Sequence, residues 1–345
     1  INLFFSDNIE LSMLRVFKFI FIIFFIFAFK NLIKLNSPSF ENLVSKSWLL
    51  ILFVVITDLI FEFYNGYNSL GFISYMPGRL VSFFKDELVV GAFLSAFVLI
   101  ILTFTHNNFK NKYISILFFL IIIFVSFIIG ERSNFIRTAI MLIIFFSIVS
   151  NLDIKIKFLT LLFVPIILFT ILTSDICKGN KTCNSYHIRF YEQISDIFKK
   201  DGINKYLKRS IYGAHYSTAE RIFKDNLIFG VGIKNFRIAG LDEKYQNKDY
   251  DLTAYGWSTH PHQLHYELLS ETGLFGYICF LIFLISSVYL SFINYLKYKN
   301  HYQLSGILFI IVSVLPLLPS GSFFSTFSSS LFWINYALMV GYIKK

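Results

Sequence analysis

Charge is what this sequence has least of. Only 15% of its 345 residues are Asp, Glu, Lys or Arg, against 56% hydrophobic residues and a mean hydropathy of +0.64. A soluble domain of this length does not need so much apolar surface, so the composition excludes an ordinary globular protein and indicates an integral membrane protein. Acidic residues are the scarcer sign, 21 against 31 basic ones, for a net charge of +10. That excess does not indicate nucleic acid, because the lysines are scattered through short segments between apolar runs. Internal repeats and low-complexity segments are lacking. No cleavable signal peptide can be read, and the first residue is Ile rather than Met, so the chain is expected to begin part-way into a longer protein. Cysteine is rare, with three in all. Cys279 lies in an apolar run and reads as inert packing. Cys177 and Cys183, in a polar loop, are compatible with a disulfide if that loop is periplasmic and equally with two free thiols.

What is abundant is long apolar runs. Taking about 20 residues with tolerance for tilt as a crossing, nine runs qualify, near 11–29, 48–63, 88–105, 113–129, 135–149, 158–172, 273–296, 304–318 and 323–343. They are too continuous for buried strands, and backbone groups in lipid must be satisfied within the segment, so helices are expected. The fold class is therefore an all-α, polytopic membrane bundle. Three parts are expected: helices in 1–172, a large, partly helical loop at 173–272, and three helices in 273–345. Lys30, Lys34 and Lys46, Lys110 and Lys112, Lys155 and Lys157, Lys297 and Lys299, and Lys344 and Lys345 all fall on one side of a nine-helix chain. That side is expected to be cytoplasmic and the long loop periplasmic. Within the loop, 185–198, 203–212 and 216–228 have helical spacing, and the polar stretch from Gly232 to Tyr255 is expected to be a mobile flap.

The ionisable residues that could carry chemistry land on the outer side. His260, His262, His265 and Glu267 crowd the stretch HPHQLHYELLSETGLFGY. Ionisable groups at a membrane edge are costly unless they do something. The H-x-H-x2-H spacing could hold zinc with Glu267, but no cysteine or second cluster completes a ligand set, so acid–base chemistry or charge stabilisation ranks above metal binding. Arg132 opens an apolar run in GERSNFIR, where a plainer account is a cation that snorkels to the headgroups. Arg137 lies deeper in the same run, as an ion-pair or supporting group. Arg79, in PGRLVSFFKDELVVG, is either functional or an outer-loop cation paired with Asp86 or Glu87. Asp58 and Glu62, four residues apart on one helix face, are candidate partners for such an arginine. Arg221 in TAERIFKDNLIFGVGIKNF would by itself be an ordinary solvated helix residue.

One pattern in these residues resembles a known family. His262-Gln263, nine residues, then Gly273-Leu-Phe-Gly276 is similar to the His-[Asn/Ser/Gln]-x9-GxxG signature of the O-antigen ligase and polymerase superfamily. Arg221 followed by Gly230-Val-Gly232 resembles its arginine and G-x-G element, with Phe223 and Phe229 in place of the usual Trp and Pro. Arg79 resembles a third, Gly-Arg-Leu element. The resemblance runs from about Arg79 to the C-terminus. It implies a metal-independent glycosyltransferase of the bacterial inner membrane that needs no cofactor. Such enzymes move a glycan from a polyprenyl-diphosphate donor to an acceptor at the periplasmic face. Lipid A-core is the acceptor for a ligase, another lipid-linked unit for a polymerase, and protein Ser or Thr for an oligosaccharyltransferase. It assigns a catalytic role to His262 and Arg221 and a substrate contact to Arg79 and Gln263; Arg132, from its place at the outer end of an apolar run, is expected to be catalytic as well, and Arg137, His260 and His265 to contact substrate. Membrane lipids are the other partners, and nucleic acid is not one. The family carries about nine helices before the loop where six are readable here, which implies three missing upstream. A transporter or flippase for lipid-linked sugars is the rival from another class. It predicts mid-membrane ionisable residues and internal hydropathy symmetry, neither of which the sequence displays.

Overall fold

The computed structural model describes residues 2–109, 112–150, 152–162, 185, 188, 190, 202, 207, 210–246 and 256–344. Among the described residues there is no strand. The elements are α1 (Ile9–Asn65), α2 (Val90–Asn108), α3 (Lys112–Ile128), α4 (Arg132–Val149), α5 (Ile211–Asp225), α6 (Phe236–Ala239), α7 (Leu264–Tyr298), α8 (His301–Ser313) and α9 (Thr326–Gly341). Five stretches are apolar and long enough to cross a bilayer: Ile9–Leu35, Glu41–Asn65, Val90–Asn108, Arg132–Val149 and Leu264–Tyr298. Tyr113–Ile128 and His301–Ser313 are shorter apolar helices. The protein is a polytopic helical membrane protein.

Two of the predicted runs, 11–29 and 48–63, are not separated by a loop. They belong to one helix, α1, whose interior contains Pro38. The intervening polar stretch contains no glycine, and a proline removes one backbone donor without obliging the helix to end. The predicted run at 158–172 lies mostly outside the described residues, of which 154–162 are helical. Cys177, Cys183 and most of the two predicted loop helices at 185–198 and 203–212 also lie outside them.

The chain divides into two compact units. One comprises Leu32–Asp196 and Lys299–Val312. Here α2, α3 and α4 pack on one another through buried Leu94, Phe97, Phe119, Met141 and Leu142. Small hydroxyls tie helices where apolar side chains cannot: Ser95 bonds Thr138, and Thr103 Oγ1 lies 3.0 Å from Ser305 Oγ. The loop between α1 and α2 is anchored by two buried carboxylates of α1. Asp58 accepts from Ser69 N at 2.8 Å and Ser82 Oγ at 2.6 Å, and Glu62 accepts from the amides of Val81 and Ser82. Their work is to satisfy loop donors, which replaces the expected pairing with an arginine.

The other unit comprises Ile1–Asn31, Ile197–Tyr298 and Ser313–Lys345. Helix α5 begins at the Ser210 cap, whose hydroxyl accepts from Gly213 N, so it starts earlier than the periodicity indicated. It packs on α7 through stacked Tyr216 and Tyr266 rings, 4.8 Å between centroids. The expected flap is, over 233–246, a folded segment. Phe236 and Tyr245 are buried against Ala219, Ile222 and Val231, and two aromatic anchors suffice to hold a stretch whose other residues are polar. Residues 247–255 of that flap lie outside the described residues. Helix α9 packs on the second half of α7, with Ser287 Oγ bonded to Tyr336 OH and Asn294 Nδ2 to the Tyr342 carbonyl.

Candidate active site

Gly273 breaks α7. Its φ of +64° and ψ of −173° are non-helical, and the apolar run predicted to begin at Gly273 begins at this break. In an unbroken helix the amides of Leu274 and Phe275 would bond the carbonyls of Ser270 and Glu271. Here those two bonds are replaced by four to the crossing segment 227–232. Leu274 N donates to the Leu227 carbonyl at 2.8 Å and Phe275 N to that of Ile228 at 3.1 Å. The Ser270 and Glu271 carbonyls accept from Val231 N at 3.0 Å and Gly232 N at 2.9 Å. Thr272 Oγ1 satisfies the Leu268 carbonyl at 2.7 Å, and Gly276 leaves the room that the Thr272 side chain occupies. The G-x-G and GxxG elements are thus two sides of one backbone crossing.

Gln263 supplies the helix start. Its Oε1 accepts from Tyr266 N at 3.0 Å, the N-cap bond that a side-chain acceptor just before the first turn can make. His262, one residue earlier, sits at φ +57°, a left-handed conformation that a non-glycine side chain adopts only when its surroundings hold it there. The Ser320 amide provides that hold by donating to the His262 carbonyl at 2.7 Å.

The structure divides the three motif histidines. His262 and His260 lie together, 4.0 Å between ring centroids, and His215 from α5 stacks on His262 at 5.2 Å. His262 Nε2 is hydrogen-bonded to Ser258 Oγ at 3.2 Å. His260 Nδ1 pairs with Thr259 Oγ1 at 3.1 Å, while its buried Nε2, facing the Ser320 backbone, lacks a partner of good geometry. His265 stands apart. It bridges the Val314 carbonyl at 2.8 Å and Tyr277 OH at 3.0 Å, so it ties the two halves of α7 to the segment after α8. Among the described residues no three His, Cys, Asp or Glu side chains converge as a metal site.

Burial sets the electrostatics of the cluster. It pushes His262 down to about 4, assisted by His215. It pushes His260 down to about 2, assisted by the neighbouring His262 and Lys234. His215 is lowered by the same burial. All three imidazoles are therefore neutral at physiological pH and available as proton acceptors.

Beneath the cluster is a buried polar relay. Lys234 Nζ donates to Ser322 Oγ at 2.6 Å, and Ser322 Oγ donates to the Glu267 carboxylate, which also accepts from Phe323 N at 2.7 Å. Glu271, fully buried, accepts from the backbone amides of Lys234 at 2.7 Å and Phe236 at 3.3 Å. Burial lowers the Lys234 amine and the two carboxylates oppose that shift. Glu267 is thus a structural anchor of the turn at Ser320–Phe323, whose Ser320 backbone faces His260 and His262. Sequence reasoning missed His215, Ser258, Lys234 and Arg237. For His215 no spacing signal exists, because it reaches His262 only through the fold; Ser258 stands four residues before His262, and Lys234 and Arg237 lie just past G-x-G, and those positions were the available clues.

Arg221 lies on α5 and gives Nη1 to the Gln246 carbonyl at 2.9 Å. The other arginines singled out in the sequence, Arg79, Arg132 and Arg137, belong to the first unit described. Arg132 is the half-buried first residue of α4. Arg137, buried one turn further on, donates to Asn134 Oδ1 at 3.5 Å. Arg79 forms an ion pair with buried Glu131 at 3.2 Å and donates to the Leu88 carbonyl at 3.1 Å. Its partner is therefore Glu131, not Asp86 or Glu87, because the turn at Gly130 brings the Glu131 side chain under the loop: Leu80 N bonds the Ile129 carbonyl.

No curated protein matches the chain. A family model described as O-antigen ligase matches residues 88–281, a span that contains α2 to α5, the crossing at Gly230–Gly273 and the whole histidine cluster. With more than half of its length matched and the motif glycines and histidines assembled into one compact site, the chain belongs to the O-antigen ligase family.

Proposed function

We propose that this protein transfers a glycan from a polyprenyl-diphosphate donor to an acceptor hydroxyl at the periplasmic face of the bacterial inner membrane, as an O-antigen ligase with lipid A-core as acceptor. The observation that carries this reading is the neutral His262, stacked on His215 and packed at a tilt against His260 at the start of α7. In the reaction the acceptor oxygen bonds to the anomeric carbon as the bond from that carbon to the diphosphate oxygen breaks. The hydroxyl proton passes to His262, and the diphosphate leaves with the electron pair. A neutral imidazole is the acceptor this step needs. The growing charge on the leaving diphosphate calls for guanidinium groups, which remain cationic and offer paired N–H donors. Arg221, whose segment resembles the family's arginine element, is assigned that role, and Arg132, the half-buried first residue of α4, is assigned it on its position alone. His260 and Gln263 support His262 directly, whereas Arg79, Arg137 and His265 act on the scaffold.

A polyprenyl tail calls for an apolar surface. In the unit that contains α2–α4, an apolar groove of about 670 Å³ is lined by Leu49, Phe53, Leu94, Val98, Phe118 and Ile122, with polar lining confined to Lys46 and Thr57. The 173–272 segment is the periplasmic loop of this arrangement, and no metal takes part. The test is a purified protein in proteoliposomes given a polyprenyl-diphosphate-linked glycan and lipid A-core. The expected outcome is a glycan-extended acceptor with release of polyprenyl diphosphate. Release to water or to a second donor molecule alone would reassign the acceptor, and no consumption of donor would overturn the reading.

A further inference from the structure

The histidine cluster has an arginine beside it that no family element identifies. Arg237 lies on α6, whose first amide is fixed by Glu271, and its own carbonyl accepts from Trp257 Nε1 at 2.8 Å. Its backbone is thus pinned on both sides. Its side chain reaches the residue next to His260: Nη2 touches the Thr259 carbonyl at 3.5 Å, the outer limit of a hydrogen bond. Its Nε–H is buried with no hydrogen-bond partner, and the Nε2 of His260, the residue after Thr259, faces the Ser320 backbone without a bond of good geometry. A guanidinium cannot shed its charge, and leaving one of its donors buried and unpaired is unfavourable unless an acceptor arrives in the working state. Its charge is felt locally, since Arg237 and Arg15 both act to lower the Lys234 amine.

Arg221 offers a contrast. Its Nη1 is already taken by the Gln246 carbonyl on the far edge of the folded 233–246 segment. Arg221 thus gives one donor to a loop carbonyl at good geometry, whereas Arg237 presents only weakly engaged donors next to His260.

We propose that Arg237 binds a phosphate oxygen of the leaving diphosphate next to His260 and His262, adding a third guanidinium to the two proposed above. This rests on the transfer reaction proposed above. Oxyanion chemistry of this kind is shared by the donor diphosphate and by phospholipid headgroups, and the experiment separates them. The substitution Arg237→Gln leaves the fold intact, because the contact that pins α6 to Trp257 uses the Arg237 backbone and the side-chain contact at 3.5 Å is weak.

The measurement is binding of farnesyl diphosphate to the full chain in phosphatidylcholine nanodiscs, run beside the glycan-transfer assay on the same preparations. Arg237→Gln should bind farnesyl diphosphate at least ~10-fold more weakly, the scale of one charge-assisted contact. Arg237→Lys should fall between, with the thermal transition of both variants unchanged. The transfer reaction should lose in KM for donor more than in kcat. Farnesyl diphosphate bound equally by wild type and Arg237→Gln, with equal transfer, overturns the assignment and leaves the proposed function standing. Competition by phosphatidylglycerol as strong as that by farnesyl diphosphate also overturns it, by making the site a headgroup site. Wild type that binds farnesyl diphosphate in an Arg237-dependent way but consumes no glycan donor supports the diphosphate contact and contradicts the proposed reaction.

Discussion

The backbone of Gly230 rests on that of Glu271 so closely that a β-carbon on Gly230 would lie 2.5 Å from the Glu271 carbonyl carbon. The G-x-G element is therefore not a ligand loop in its own right. It is the piece of chain that fills the break in α7, and the break exists because Gly273 takes a left-handed turn.

Gly230→Ala and Gly273→Ala should each destabilise the protein strongly. Each residue has a positive φ, +66° and +64°, and a β-carbon at each would collide with backbone rather than with a movable side chain. Left-handed strain alone is about 1–2 kcal/mol for an L-residue, and the collision adds to it. Gly66→Ala is the control, since Gly66 has φ +77° but nothing within 4 Å of the added carbon. Thermal unfolding in detergent should rank Gly66→Ala well above the other two. Equal melting temperatures for all three would show that the crossing is not tight.

The histidines predict a pH dependence. With His262 lowered to about 4 by burial, kcat/KM for transfer should stay level from pH 8 to about 5 and fall only as pH approaches 4. A fall centred near the ordinary imidazole value of about 6.5 would contradict a buried, neutral base. Stability has the same sign. Below about pH 6.5 the unfolded chain binds protons that the folded cluster refuses, so stability is lost as pH falls towards the folded values. His262→Gln should flatten that slope.

Arg79 and Glu131 should behave as a structural pair. Removing the arginine leaves a buried carboxylate without its counter-charge, which is worth about 3–5 kcal/mol. Arg79→Ala should therefore lower the melting temperature, and Arg79→Met with Glu131→Leu should recover most of the loss. If Arg79→Ala instead abolishes transfer with the melting temperature unchanged, Arg79 contacts substrate.

These contrasts show what the sequence could and could not reveal. The helices were legible because lipid demands long apolar runs, and Gly273 was visible as the point where such a run begins. The pairing of His262 with His260 was visible in spacing. His215 was not, since 47 positions separate it from His262 and only the packing of α5 on α7 joins them. The folded nature of 233–246 was hidden because its order comes from Phe236 and Tyr245 finding a core contributed by α5, not from any period of its own. The continuity of α1 through Pro38 was hidden because a proline and two asparagines resemble a loop.

The proposed sidedness rests on the lysine distribution and is open to a direct test. Lys224, an exposed residue of α5 paired with Glu220 at 2.6 Å, lies in the segment proposed to be periplasmic. Lys224→Cys in an otherwise cysteine-free chain should react with an impermeant thiol reagent once the outer membrane is permeabilised. Reaction seen only after the inner membrane is breached would invert the topology.

The most direct test of the account is glycan transfer by His262→Ala in proteoliposomes at matched protein amount, beside His260→Ala and His265→Ala. His262→Ala should lose about 100-fold or more, the scale for a missing general base. His260→Ala should lose less, and His265→Ala should chiefly lower the melting temperature. EDTA should leave wild-type transfer unchanged. A His262→Ala protein that transfers glycan at the wild-type rate while His260→Ala or His265→Ala is inactive would contradict the site described above.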